Sequence, residues 1–102
     1  MTARSKIRMA SLHLSFFMLG GAQVQIGLTE SGEDVRFETF SAPGEVFKLY
    51  ADNEKVAEDD TDANGQAVLS GKCPATGWCH FSVERVVEEV VVETTTIRLR
   101  RS

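Results

Sequence analysis

The chain has only two cysteines, two prolines, two histidines, one tryptophan and one tyrosine among 102 residues. Each scarcity excludes something. Two cysteines cannot build a disulfide-dense scaffold or a four-cysteine zinc site. Cys79 and His80 are neighbours, and on a strand they point to opposite faces, so they cannot easily share a metal ion or work as a nucleophile–base pair. No apolar run is long enough to span a bilayer as a helix. Glycine-rich phosphate loops, nucleophile elbows and H-E-x-x-H are all missing. Glu88-Glu89 are paired only in sequence, because adjacent strand residues diverge. No catalytic residue is assigned and no cofactor is expected.

Charge is unevenly distributed. Residues 1–29 carry Arg4, Lys6 and Arg8 and no acid. Residues 30–97 hold all fifteen acids against Arg36, Lys48, Lys55, Lys72 and Arg85, a net −10. Arg98, Arg100 and Arg101 follow. An acidic body repels nucleic acid phosphates over most of its surface, whereas basic ends can meet acidic protein surface, including that of another copy.

What is present is strand grammar. Val24, Ile26 and Leu28 alternate, as do Val35, Phe37 and Thr39, then Phe47, Leu49 and Ala51. Cys79, Phe81 and Val83 alternate against Trp78, His80 and Ser82. The segment from Val86 to Leu99 is rich in valine and threonine, whose branched side chains suit a pleated surface, with a bend expected at Glu88-Glu89. Pro43-Gly44, Asp52-Asn53-Glu54 and Asn64-Gly65 mark turns, and Glu58 to Asp62 reads as an exposed acidic connection. The expectation is an all-β antiparallel sandwich of about seven strands.

From Val35 to Leu99 the chain resembles the Cna-B and carboxypeptidase-regulatory-like β-sandwiches, relatives of the transthyretin and immunoglobulin shapes. The residues carrying the resemblance are Pro43-Gly44, Phe47-Lys48-Leu49, Thr61-Asp62-Ala63-Asn64-Gly65, Ala67-Val68-Leu69 and Gly77 to Val83. It implies a single Ig-like fold and no particular activity. The isopeptide bond of some family members is not carried over, since Asn53 and Asn64 both sit in turns.

Residues 1–22 are read apart from the sandwich of 23–102. A basic start, an apolar stretch and Gly20-x-Ala22 match a secretory leader cleaved after Ala22. The preferred alternative is a retained docking arm, in which Leu12, Leu14, Phe16, Phe17, Met18 and Leu19 form an interface and whose removal leaves the sandwich folded.

Two local sites complete the reading. Asp60-x-Asp62-x-Asn64-Gly65 opens like a calcium loop, but Gly71 stands where the bidentate glutamate belongs, so a solvated turn is preferred to weak calcium binding. Cys73 and Cys79 flank a short loop and are expected to form a disulfide, against a reading as two buried thiols. The function expected is that of a structural sandwich with protein partners, in a homo-oligomer or among other subunits. Its most concrete form is a virion decoration or accessory protein. The alternative is an extracellular or cell-surface module binding calcium or carbohydrate.

Overall fold

The computed structural model describes residues 5–10, 15–19, 23–29, 34–72 and 77–101. These form nine strands: β1 (Lys6–Ala10), β2 (Ser15–Leu19), β3 (Gln23–Thr29), β4 (Asp34–Phe40), β5 (Val46–Ala51), β6 (Glu54–Asp60), β7 (Gln66–Lys72), β8 (Gly77–Val87) and β9 (Val90–Arg101). A four-stranded sheet runs in the order β2-β1-β4-β7, and a five-stranded sheet in the order β3-β9-β8-β5-β6. Neighbours are antiparallel except β3, which lies parallel to β9.

Alternation builds the core. Ile7 and Met9 of β1, Val35 and Phe37 of β4, and Ala67 and Leu69 of β7 face Phe47, Leu49 and Ala51 of β5. Cys79, Phe81 and Val83 of β8 and Ile97 and Leu99 of β9 complete the opposite layer. Phe37 and Phe81 span the two sheets, with ring centroids 5.7 Å apart and a tilt of 59°. Burying each such large apolar side chain contributes about 1.5–3 kcal/mol. The buried Thr39 satisfies its hydroxyl by donating to the Ala67 carbonyl at 3.1 Å.

Three features differ from the expectations. First, β1 is an internal strand between β2 and β4, with Ile7 and Met9 in the core, so residues 6–10 are not an appendage and the boundary after Ala22 cuts through the sandwich. Of the expected interface, Leu12 and Leu14 lie outside the described residues. Phe16, Phe17, Met18 and Leu19 lie on β2, in register with Met9, Arg8, Ile7 and Lys6.

Second, the acidic connection is largely strand β6, paired with β5 and bulged between Leu49 and Tyr50. Its side chains are almost all exposed, so pairing through the backbone leaves no inward row for a sequence pattern to reveal. Third, the Val86–Leu99 segment is the end of one strand and most of another. Val87 pairs with Val90, leaving Glu88 and Glu89 as a two-residue turn with φ of 51° and 66°. Asp52 and Asn53 make the same kind of turn between β5 and β6, with φ of 48° and 71°.

The Thr61–Gly65 motif has a mechanical role. Thr61 Oγ1 accepts from the Glu45 amide at 2.8 Å and donates to the Ala42 carbonyl at 2.8 Å, clamping the Pro43-Gly44 turn. Gly65 has φ of 77°, and a Cβ there would lie 1.9 Å from the Ser41 carbonyl oxygen. Only glycine fits.

Two outcomes follow from these features. Deleting residues 1–19 removes Ile7 and Met9, each expected to cost about 2–5 kcal/mol, against a typical total stability of about 5–15 kcal/mol. Circular dichroism and amide spectra of the truncated chain should show loss of the native fold. Conversely, left-handed φ is unfavourable for glutamate, so Glu88→Asn with Glu89→Gly should stabilise by about 1 kcal/mol and raise Tm by about 4–8 °C. An unchanged or lower Tm would refute this account of the turn.

Candidate functional site

The inward rows of β5, β8 and β9 do not end in apolar residues. Extending Phe47, Val83 and Thr95 outward by two residues reaches Glu45, Arg85 and Glu93, which converge at one end of the core. Arg85 is 3% exposed and Glu45 7%. The guanidinium grips Glu45 with a two-point fork, Nε to Oε1 at 2.8 Å and Nη2 to Oε2 at 3.0 Å. Nη1 donates to Glu93 Oε1, its register partner on β9. Glu93 in turn accepts from the Ser5 amide at 3.1 Å and the Ser5 hydroxyl at 3.2 Å. The latch thus joins β5, β8 and β9 to the residue preceding β1.

The Arg85 guanidinium holds the Glu45 carboxyl below its ordinary value of 4.5, against the opposing effect of burial. Glu45 in turn holds Arg85 protonated. The arrangement is a positioning device with no activated nucleophile or base in it.

Just beyond the latch the ladder is bulged between Arg85 and Val86, and the β8–β9 hairpin ends in Glu88-Glu89. Val90, Val91 and Val92 are 60%, 48% and 47% exposed. Beside them lies a groove of about 290 Å³ lined by Val46, Val86 and Val91, with Lys48, Glu58, Glu88 and Glu89 at its rim. Among the described residues the other exposed large apolar side chains, Val56, Val68 and Trp78, are isolated in the sequence, so these three consecutive valines are the longest exposed apolar run.

The other expected sites are placed as follows. Asp62 Oδ1 accepts from the Asn64 amide at 2.8 Å and the Gln66 amide at 3.0 Å, so this carboxylate holds its own turn. Asp60 ends β6 opposite Val46. Among the described residues no group of three or more His, Cys, Asp or Glu is arranged to hold a metal ion. Cys79 is buried opposite Leu99, and Cys73 lies outside the described residues, as does any bridge to it. No helix among the described residues is long and apolar enough to cross a membrane.

No protein-family model matches the chain, and no curated protein is similar to it in sequence. Among solved structures it is similar to the CARDB domain of a protein from Pyrococcus furiosus, determined by NMR in solution. The TM-score is 0.57 at 10% identity, over 99% of this chain and 97% of that domain. The protein is a small Ig-like β-sandwich. At that identity the likeness speaks for the fold alone.

The latch has a pH signature. Because the folded-state pKa of Glu45 lies below its unfolded value, its contribution is complete above about pH 4.5 and is lost as pH falls through the folded pKa. Thermal melts should show Glu45→Gln less stable than the parent at pH 7, with the gap closing as the pH is lowered below about 4.5. A gap that widens on acidification would sink this assignment. Arg85→Met strands two carboxylates and should cost about 3–5 kcal/mol at neutral pH.

Proposed function

We propose that the protein is a non-catalytic structural sandwich that acts through protein–protein contacts as a subunit of a larger assembly. The observation that carries this reading is the exposed Val90-Val91-Val92 tip beside the Val46–Val86–Val91 groove, held out by a buried ionic latch. Apolar side chains kept on a rigid hairpin tip favour burial against a partner, since a preorganised contact loses little entropy on binding. The acidic rim selects partners with positive charge and speeds their approach more than it tightens the final contact.

A virion decoration or accessory subunit is the most concrete form of this reading. A small sandwich with a projecting apolar tip suits a role repeated many times over a larger particle. Closer kinship with the Cna-B group belongs to the same reading. It draws support from the Thr61–Gly65 clamp, where the shared motif performs a structural task. A Cys73–Cys79 bridge would anchor the start of β8 in an oxidising setting. The secreted module with a leader cleaved after Ala22 has β1 against it, because a chain starting at Gln23 would lack Ile7 and Met9 from its core.

The test replaces the tip by polar residues of similar shape: Val90→Ser, Val91→Thr and Val92→Ser. These positions are exposed, so stability should change by no more than about 0.5 kcal/mol per site. Native protein fractionated from its source should sediment with a high-mass particle of fixed composition, and the variant should remain at the mass of the single chain. Wild-type protein found only as a monomer in its source would overturn the reading.

A further inference from the structure

The two ends of the sandwich differ in what they expose. One end carries the valine tip with the exposed acids Glu88 and Glu89. Toward the other end of β8, about 30 Å away at strand rise, Trp78 is 44% exposed on the outer face of the five-stranded sheet. The Arg98 guanidinium stands 4.9 Å from the centroid of the indole. His80 is exposed on the same face, in register with Arg98. Arg100 occupies the register position opposite Trp78. No carboxylate among the described residues forms an ion pair with Arg98. Asp52, the acid beside His80, has its Oδ1 accepting from the His80 amide at 3.0 Å.

A flat indole beside a cation is complementary to small branched side chains beside an anion. The described residues carry both, at opposite ends of a body 40 Å long. We infer that the two are halves of a single contact, so that copies associate head to tail, the valine tip of one on the Trp78–His80–Arg98 surface of the next. This rests on the tip being an assembly surface and names its partner as a second copy of this chain.

The choice of a second copy follows from charge and shape together. Glu88 and Glu89 meet Arg98, and the methyl groups of Val90 and Val92, alternate residues of β9 that share a face, cover the indole. Because the two surfaces are different and far apart, the contact is heterologous, and each copy retains one unused end. Such contacts generate rings or open chains. Two valines and one indole bury little area, so a single contact is weak and depends on concentration and salt.

The experiment uses the chain of residues 1–102 in sedimentation velocity over a concentration series, at about 0.05 M and 0.5 M salt. Two variants accompany it: the tip variant (Val90→Ser, Val91→Thr, Val92→Ser) and a surface variant (Trp78→Ala, Arg98→Glu). Thermal melts establish that both are folded, and Arg98→Glu alone serves if the double variant is not. The wild type should grow past dimer with concentration, and high salt should weaken association about tenfold or more. Each variant alone should stay monomeric, and their equimolar mixture should form a one-to-one dimer and nothing larger.

Wild type that is monomeric throughout overturns the head-to-tail contact, while sedimentation of the native particle still decides the broader reading. Loss of association in the tip variant but not in the surface variant overturns this pairing and leaves the tip as an assembly surface. Association undiminished in both variants removes the tip from either role.

Discussion

The buried contact of Arg85 with Glu45 and Glu93 is the constraint on which the rest of the molecule depends. A two-sheet sandwich closes its sides with strands, but its ends must be closed by whatever the inward rows reach last. Here three rows reach charged residues within one cluster. Each is satisfied by another, and Ser5 ties the cluster to the start of β1. Replacing such a cluster by apolar residues would often be neutral for stability, so net energy is a weak reason for its presence. Geometry is a better one: the bidentate fork admits one arrangement of β5 against β8, and the Glu93 contact admits one register of β9.

That register determines where the hairpin tip emerges. With Arg85 opposite Glu93, the bulge that follows leaves Val86 opposite Val91 and the turn at Glu88-Glu89. Two glutamates in left-handed conformation are a poor local choice, since asparagine and glycine adopt it more readily. Their retention is intelligible where their charge is used. A more stable turn would remove the acidic rim from the valine tip, so local strain and surface chemistry are set against each other at one site.

Much of the fold was legible in the residues because both sheets obey alternation. Phe47, Leu49 and Ala51, and likewise Cys79, Phe81 and Val83, occupy the core as their spacing requires. The latch was legible by the same rule, since Glu45 and Arg85 continue those rows, but a charged residue at an inward position reads as the end of a strand. Strand β6 was hidden because an edge strand can be held by backbone pairing alone, and its solvated acids look like a loop. Glu88-Glu89 was hidden because a two-residue turn is recognised by asparagine and glycine. The Arg98–Trp78 stack depends on pairing between β8 and β9, whose register was hidden for as long as that turn was.

The edges of the sheets narrow the ways in which copies can meet. Pairing β6 against β6 of another copy would bring together two strands that each carry Glu54, Glu58, Asp59 and Asp60 against a single Lys55, and the net like charge opposes it. On the neighbouring edge, the Val68 amide of β7 donates to Asp59 Oδ2 at 2.9 Å, so part of that strand's hydrogen-bonding capacity is spent within the molecule. Sheet extension is therefore penalised on both strands that flank this side of the sandwich. Contacts through side chains at the ends escape that penalty, because they need no free backbone. On the β6–β7 side, a body with an apolar acidic tip and an aromatic cationic surface is thus biased toward end-to-face contact over continuation of its sheets, whereas that penalty does not extend to the β2 and β3 edges.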